Sequence, residues 1–249
     1  MPLDAIRGVL LDLDGTLYQD GALLPGAREA VARLRRRYAV RFVTNTTSKS
    51  RAAVVETLAG FGIEAAAGDV VSPPAVAGAR LRAAGETAAL FLPEPAQADF
   101  DGVRQDDEAP DWVVVGDLGE GWDFDTLNRA FRLLLGGARL LALGRTRYWR
   151  APDGLRLDAG PFVAALEAAT GQTAVTVGKP APAFFHAACN ALGLAPEAVA
   201  IVGDDAETDV RAAQAAGLRG VLVRTGKFRE ADLDGLPAPH RVVGSIADL

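Results

Sequence analysis

Short β-branched runs alternate with helical patterns along almost the whole chain. Residues 8–12 predict a buried strand, residues 25–38 a helix with its apolar side chains on one face, and residues 40–44 the next strand. Further strands are predicted at residues 88–92, 112–115, 140–143, 174–177, 198–202 and 220–223, and further helices at residues 51–60, 125–135, 161–170, 181–192 and 208–216. Such alternation favours an α/β fold class, a Rossmann-like doubly wound parallel sheet with helices on both faces.

Composition narrows the chemistry that such a fold could carry. The chain has one Cys and two His among 249 residues, so an internal disulfide is excluded and a zinc site has few ligands. Asp and Glu number 32, and carboxylates prefer hard cations such as magnesium. The formal net charge of −6 argues against a nucleic-acid partner. The sequence therefore predicts chemistry built on carboxylates.

The apolar segments are all short. The longest runs, such as residues 112–115, are far below the roughly 20 residues that cross a bilayer as a helix. Residues 1–4 lack the basic start and the apolar core of a signal peptide. We therefore expect a cytoplasmic protein with no membrane partner.

Polar side chains follow four of the predicted strands. In open α/β sheets, functional sites lie beyond the carboxyl ends of the strands. The residues at these ends are Asp12 and Asp14, Thr44 and Asn45, Lys179, and Asp204, Asp205 and Asp209. If the strands are neighbours, the acids form a cluster that repels itself unless a cation lies among them. Mg2+ is therefore the predicted cofactor.

Each of these groups also has an ordinary structural explanation. Asp12 and Asp14 could shape a turn, and Thr44 could cap a helix. Lys179 could face solvent, and the three later aspartates could favour a helix N-terminus. Because all of them stand at strand ends of one chain in a regular order, we favour one common site.

Together the four motifs resemble those of the haloacid dehalogenase (HAD) superfamily of phosphotransferases. The motifs are Asp12-Leu13-Asp14-Gly15-Thr16, Thr44, Lys179, and Gly203-Asp204-Asp205 followed by Asp209. The long insert between the second and third motifs is similar to the C2-type α/β cap of the subclass that contains the nucleotide phosphatase NagD. The resemblance implies a HAD-like catalytic core at residues 1–78 and 178–249, with an inserted cap at residues 79–177.

Further segments are similar to two related groups within that subclass. These segments are residues 42–47, 128–135, 147–148, 160–162 and 225–227. One group is the phospholysine phosphohistidine inorganic pyrophosphate phosphatases, and the other is haloacid dehalogenase-like hydrolase domain-containing protein 2. The resemblance implies a magnesium-dependent phosphatase. Its substrate would be a small phosphorylated compound carrying a phosphomonoester, a pyrophosphate or a P–N bond.

The resemblance also implies roles for the acids of the first motif. Asp12 would attack phosphorus and form an aspartyl-phosphate, and Asp14 would protonate the leaving oxygen and later activate water. Asp12, the backbone carbonyl of Asp14, and Asp204 would hold Mg2+. The acid at Asp14 disfavours a dehalogenase, because halide leaves without a proton.

The remaining motif residues are implied to act on the phosphoryl group or on the metal ligands. The Thr44 hydroxyl, the Asn45 backbone N–H and Lys179 would stabilise the negative charge of the phosphoryl group. Asp205 and Asp209 would orient metal-bound water or Lys179. The site thus combines nucleophile, acid, ammonium and metal ligands.

The cap is expected to choose the substrate, and its most suggestive segment is residues 144–150. Arg145 and Arg147, with Tyr148 and Trp149, could bind an anionic or planar substrate. The same residues could instead form a solvated loop whose aromatic side chains pack on the cap. The segment lacks the Asn-Pro-Asp stretch of other members, so their nucleotide or pyridoxal phosphate specificities do not carry over. The apolar faces of the cap could support a homodimer.

The sequence alone leaves two other functions open. A receiver-like signalling protein would accept phosphate on Asp12, but such proteins lack a cap and an acid at the position of Asp14. A HAD-fold binding protein would keep the fold without turnover. Continuous turnover of p-nitrophenyl phosphate would separate the phosphatase from both.

Overall fold

The computed structural model of the protein describes residues 5–151, 153–235 and 237–249. The signal-peptide prediction for residues 1–4 lies outside this part. The strands are β1 (Gly8–Asp12), β2 (Tyr18–Gln19), β3 (Ala22–Leu23), β4 (Ala39–Val43), β5 (Val70–Val71), β6 (Ala88–Phe91), β7 (Trp112–Val115), β8 (Arg139–Ala142), β9 (Tyr148–Ala151), β10 (Gly154–Leu157), β11 (Val175–Thr176), β12 (Val199–Gly203), β13 (Arg219–Val223) and β14 (Arg241–Val243).

Helices connect these strands, and two of them, at Pro73–Ala84 and Glu94–Gln97, lie where the sequence predicts none. The α-helices are α1 (Ala27–Arg35), α2 (Arg51–Gly60), α3 (Pro73–Ala84), α4 (Glu94–Gln97), α5 (Phe124–Leu135), α6 (Ala159–Thr170), α7 (Pro182–Leu192) and α8 (Ala212–Ala215). A π-helix spans Ala206–Arg211, and short 3-10 helices span Ala67–Asp69, Ala98–Phe100, Gly119–Gly121, Pro196–Ala198, Glu230–Asp234 and Ile246–Asp248. No helix in the described part of the chain combines the length and apolar character needed to cross a bilayer.

The chain divides by its contacts into two compact units. The core unit holds the described residues up to Thr44, together with Ala52–Val71 and Lys179–Leu249. The insert unit holds Asn45–Arg51 and Ser72–Gly178. The insert unit thus interrupts the core unit in sequence, and each has its own sheet.

The core unit is built on a six-stranded sheet with the order β14-β13-β12-β1-β4-β5, in which every pairing is parallel. The chain enters at β1, adds β4 and β5 on one side, and later adds β12, β13 and β14 on the other. Because parallel crossovers are right-handed, helices from the two halves lie on opposite faces. The predicted doubly wound α/β fold is confirmed. Its topological switch point, where ligands bind in such sheets, lies between β1 and β12.

The sequence of β1 explains its place at the centre of this sheet. All five residues are buried, as expected for a parallel strand covered on both faces. Gly8 packs closely against the helix side of the sheet, since a Cβ there would lie 2.6 Å from Leu194 Cδ1 and that side chain would have to shift. Val9 and Leu11 join Leu34 of α1 in the main apolar cluster. Burying an aliphatic side chain of this kind stabilises the fold by about 1.5–3 kcal/mol.

The insert unit has a smaller parallel sheet with the order β11-β8-β7-β6 and a separate antiparallel hairpin of β9 and β10. Helices α5 and α6 pack against each other. Trp122 stacks between Phe91, at 5.8 Å between ring centroids, and Phe162 at 4.9 Å. These aromatic contacts connect β6 with α6 and give the insert unit an apolar core of its own.

Candidate active site

Three carboxylates converge at the switch point of the core sheet. Asp12 is the last residue of β1, and Asp204 follows β12, its neighbour in the sheet. Asp209 lies in the π-helix that comes next. All three are buried, and one carboxylate oxygen from each lies within 4.8 Å of the others. The structure therefore brings together residues from the first and fourth predicted motifs.

Lys179 supplies the positive charge among these acids. Its Nζ donates to Asp12 Oδ1 at 2.5 Å and to Asp209 Oδ1 at 2.6 Å, and its side chain is only 4% exposed. Burial lowers the pKa of Lys179, but the two carboxylates outweigh this effect and raise it. The side chain is thus an ammonium that joins the nucleophile candidate to the π-helix.

The raised pKa values of the three aspartates indicate that the Lys179 ammonium alone does not offset the cost of burying their negative charges. Burial raises the pKa of Asp12 to about 6, although Lys179 acts in the opposite direction. Burial likewise raises the pKa of Asp204 and of Asp209 to about 6. A divalent cation among the oxygens would offset this cost of ionisation, and oxygen ligands are those that Mg2+ prefers. The residues present therefore fit a hard divalent cation.

Asp205 acts as a cap in this structure. Its Oδ1 accepts from the backbone N–H groups of Glu207 at 3.1 Å and Thr208 at 2.9 Å, which shapes the turn after β12. Burial raises the pKa of Asp205, but these N–H groups and Lys227 outweigh it and lower the pKa. Where the sequence predicted an α-helix from residue 208, the structure has a π-helix over Ala206–Arg211. Short stretches of π-helix like this one are frequent at functional sites.

The loop of Thr225, Gly226 and Lys227 holds Asp204 in place. The backbone N–H of Lys227 donates to Asp204 Oδ2 at 2.7 Å, and Thr225 Oγ1 donates to the Gly15 carbonyl at 2.5 Å. Gly226 has φ of +60°, and a Cβ there would overlap the Asp204 carboxylate and lie 2.6 Å from Gly15 Cα. Sequence reasoning gave this loop no role, although residues 225–227 were part of the family resemblance.

We expect Gly226→Ala to weaken metal binding at this site. The added Cβ must displace Asp204 or the Gly15 backbone, and the positive φ adds strain. The dissociation constant for added Mg2+, measured by calorimetry, should rise at least about tenfold, within the range seen when groups supporting a metal ligand are lost. Gly193→Ala is the matched control, because Gly193 has φ of +66° and no atom within 4 Å of its Cβ position. An equal shift in both variants would show that backbone strain alone is responsible.

Asp14 and Thr44 lie near the switch point in different settings. Asp14 is exposed in the loop after β1 and forms an isolated β-bridge with Tyr18. Burial, with the charges of Asp14 and Asp12, raises the pKa of Tyr18, so its hydroxyl keeps its proton beside these acids. Thr44 is buried directly after β4, the other neighbour of β1, and its N–H donates to the Val71 carbonyl at 3.1 Å.

The remaining predicted residues belong to the insert unit. Asn45 is half-buried there. Arg145 forms a two-point ion pair with Glu167, whose Oε1 also accepts from the Ala174 N–H at 2.8 Å. Tyr148 and Trp149 lie on β9 with 52% and 41% exposure, and Arg147 is exposed beside them. Arg145 thus has a structural partner, whereas the other three side chains face solvent in this unit.

Comparison with protein families places the chain in a known group. A family model described as haloacid dehalogenase-like hydrolase matches residues 9–103, and one described as HAD-hydrolase-like matches residues 176–249. Haloacid dehalogenase-like hydrolase domain-containing protein 2 from Bos taurus is 42% identical over 95% of this chain and 91% of its own length. Phospholysine phosphohistidine inorganic pyrophosphate phosphatase from Bos taurus is 41% identical over 92% of this chain and 87% of its own length. The chain belongs to the haloacid dehalogenase-like hydrolases.

Solved structures agree with this assignment. A 4-nitrophenylphosphatase from Thermotoga maritima superposes with a TM-score of 0.91 at 30% identity, covering 98% of this chain and 96% of that one. NagD from E. coli K-12 gives a TM-score of 0.90 at 26% identity, covering 98% of both chains. These comparisons confirm the predicted superfamily, its NagD-like subclass, the similarity to both related groups, and the enzyme class, a phosphatase of the HAD type.

Proposed function

We propose that this protein is a magnesium-dependent phosphatase that hydrolyses a small phosphorylated compound through an aspartyl-phosphate on Asp12. The observation that carries the proposal is the buried arrangement of Asp12 with Lys179, Asp204 and Asp209 at the switch point. A carboxylate held by an ammonium beside two further acids is suited to nucleophilic attack on phosphorus, provided that its negative charge is offset.

In this mechanism Asp12 and Lys179 act on the same phosphoryl group. An Asp12 oxygen attacks phosphorus in line with the leaving oxygen, forming one P–O bond as the bond to the leaving group breaks. Lys179 keeps Asp12 oriented and stabilises charge on the transferring phosphoryl oxygens. Asp209 accepts the second Lys179 hydrogen bond and so holds the ammonium in position. Thr44 and Asn45 stay predicted phosphate-binding residues on the strength of the family resemblance.

Proton transfer falls to Asp14, two residues from the nucleophile. Asp14 is exposed, so it can exchange protons with solvent between turnovers. It protonates the leaving oxygen and then takes a proton from the water that attacks the aspartyl-phosphate. Asp12, Asp204 and the Asp14 carbonyl would hold Mg2+, which supplies neutralisation of the charge between nucleophile and phosphate.

The relatives' names support the proposed substrate class. One relative is named for phospholysine, phosphohistidine and pyrophosphate, and one structural neighbour for 4-nitrophenyl phosphate. We propose that the predicted cap, residues 79–177, selects among phosphomonoesters, pyrophosphate and P–N compounds, with Arg147, Tyr148 and Trp149 as the contacting side chains. We also propose a cytoplasmic location, since the single cysteine, Cys189, is free and buried and the chain has none of the internal disulfides that stabilise many secreted proteins.

Removal of metal is expected to abolish activity. The purified protein should turn over p-nitrophenyl phosphate continuously with magnesium, and treatment with EDTA should lower the rate at least about a hundredfold, because the three acids then repel the phosphate. Added magnesium should restore the rate. A single turnover that stops at phosphorylated protein would instead support a receiver-like protein, and undiminished activity in EDTA would contradict the metal site.

The natural substrate can be found by a screen of phosphorylated metabolites that includes pyrophosphate, phospholysine and phosphohistidine. The screen is best repeated with Arg147→Ala, because Arg147 is exposed in the insert unit and its guanidinium lies over the ring of Tyr148, itself exposed, at 5.9 Å from the centroid. A change in the order of substrates, with p-nitrophenyl phosphate hydrolysis retained, would support the specificity role. The same order in both proteins would count against it.

A further inference from the structure

Helix α5 of the insert unit carries an apolar stripe that faces solvent. Phe124, its first residue, is 77% exposed, and Leu135, its last residue, is 62% exposed. Phe131 lies between them and is half-buried against the apolar core of the unit. The spacings of seven and four residues place the three side chains on one side of the helix. Large apolar side chains exposed together in this way mark an interaction surface.

The stripe is separate from the side of α5 that packs into its own unit. The buried residues of the helix are Ala130 and Leu134. At about 100° per residue, these two lie roughly a quarter-turn or more around the helix from the stripe. The helix therefore has one apolar side for its own unit and a second one that is left for a partner.

The charges beside the stripe fit a second copy of the same helix. Asp125 and Arg132 are exposed and lie seven residues apart, on one flank of the stripe. They are roughly 10 Å apart along the helix, too far to pair with each other. Neither forms an ion pair with any residue in the described part of the chain. Arg129, one turn after Asp125, pairs with Asp107 at 2.6 Å instead.

Antiparallel pairing of two α5 helices satisfies both the stripe and the charges. With a two-fold axis near the middle of the helix, Phe124 of one copy meets Leu135 of the other, and the two Phe131 side chains lie near the axis. Asp125 of each copy then faces Arg132 of the other, which gives one ion pair at each end of the contact. Parallel pairing would instead put the two charged flanks on opposite sides of the contact, where the charges would meet no partner.

We propose that α5 is the interface of a weak homodimer, in which two copies of this helix pack antiparallel about a two-fold axis. A single pair of helices covers less than the roughly 800 Å2 per partner of a stable interface, so we expect a dissociation constant of about 10–100 μM. The inference does not rest on the proposed phosphatase activity, because none of the candidate active-site residues lies on α5.

The test is sedimentation velocity of the full chain at concentrations on both sides of the expected dissociation constant. We expect a monomer at the low end and a dimer at the high end. Phe124→Ser should weaken the dimer at least about tenfold, because it removes an aromatic side chain from both copies. A monomer at every concentration would leave the stripe to a different protein and would overturn the proposal.

Charge reversal tests the antiparallel arrangement. Asp125→Lys and Arg132→Asp should each weaken the dimer at least about tenfold, because each turns two attractive pairs into two repulsive ones. The double variant Asp125→Lys/Arg132→Asp should dimerise like the wild type. An equimolar mixture of the two single variants should also form dimers, since each supplies the charge that the other lacks.

Glu94→Lys is the matched control for this series. Glu94 is an exposed acid of the insert unit outside α5, and its reversal changes the net charge as much as Asp125→Lys does. The control should dimerise like the wild type. If one single charge variant fails to fold, the other decides together with Phe124→Ser. Dimers that persist in the single variants, or that do not return in the double variant and the mixture, would contradict the antiparallel interface.

Discussion

Replacing Asp12 by asparagine should abolish hydrolysis and leave the protein folded. Asparagine has nearly the shape of aspartate, and its side-chain oxygen can still accept the hydrogen bond from Lys179. It cannot form an acyl-phosphate, because its amide lacks the nucleophilic carboxylate oxygen. Loss of a covalent nucleophile commonly removes at least about a thousandfold of the rate.

The fold should tolerate this substitution, since Asp12 is costly to ionise where it lies. Burial already raises its pKa to about 6, so removal of the charge relieves part of the repulsion with Asp204. We expect the free energy of unfolding to change by no more than about 1 kcal/mol. The measurements are the turnover rate of p-nitrophenyl phosphate and a denaturant midpoint. Asp234→Asn is the control, because Asp234 is exposed in the same unit. Appreciable residual turnover in a folded Asp12→Asn protein would contradict the nucleophile assignment.

Lys179→Met should produce the largest loss of stability. Lys179 is buried with both Asp12 and Asp209 at hydrogen-bond distance. Methionine keeps the apolar length of the side chain but leaves the two carboxylates without their ammonium. Removing one partner of a buried ion pair typically costs about 3–5 kcal/mol, and we expect at least about 3 kcal/mol here together with loss of activity.

The matched control for this effect is another lysine of the same site. Lys227 is within 3.4 Å of Asp205, but its side chain is 72% exposed, so solvent screens the pair. Lys227→Met should change the free energy of unfolding by less than about 0.5 kcal/mol. Both variants are measured by denaturant unfolding in EDTA, which removes bound metal from the comparison. Equal stability of the two variants would contradict the buried ion-pair arrangement.

The central strands and the site at their ends could be predicted from the sequence. The predicted strand at residues 8–12 coincides with β1, because its residues form an uninterrupted apolar run that ends in Asp12. The direction of the strands then requires that Asp12 and Asp204 lie at the same edge of a parallel sheet. The local apolar pattern and the direction of the strands are sufficient to predict the central strands and the site at their ends, because neither depends on packing between distant residues.

Other features depend on contacts between distant residues, and local patterns do not predict those. The hydrogen bond from Thr225 to Gly15 joins residues that are 210 positions apart in the sequence. For this reason the sequence around residue 225 does not indicate that the loop of residues 225–227 holds Asp204. The π-helix that brings Asp209 to Lys179 has the sequence of an ordinary helix start. The sequence predicts no strand at β9 or β10, because Leu155 and Leu157 are exposed and the pattern of a half-buried strand is missing.

The sequence predicts no helix over residues 73–84, where two consecutive prolines follow Ser72 and proline is unsuited to a helix interior. In the structure Ser72 caps α3 by accepting from the Ala75 N–H at 3.4 Å, and the prolines occupy the first helical turn. Proline is suited to that turn, because the N–H it lacks would have no helical partner.

Mass spectrometry of protein quenched in acid during turnover tests the central claim most directly. With p-nitrophenyl phosphate and magnesium, we expect one phosphoryl group on the peptide that contains Asp12, released by hydroxylamine as an acyl-phosphate is. The same peptide from Asp12→Asn should carry none. Sustained hydrolysis by the wild-type protein with the phosphoryl group on another residue, or with none on this peptide under single-turnover conditions, would contradict the account.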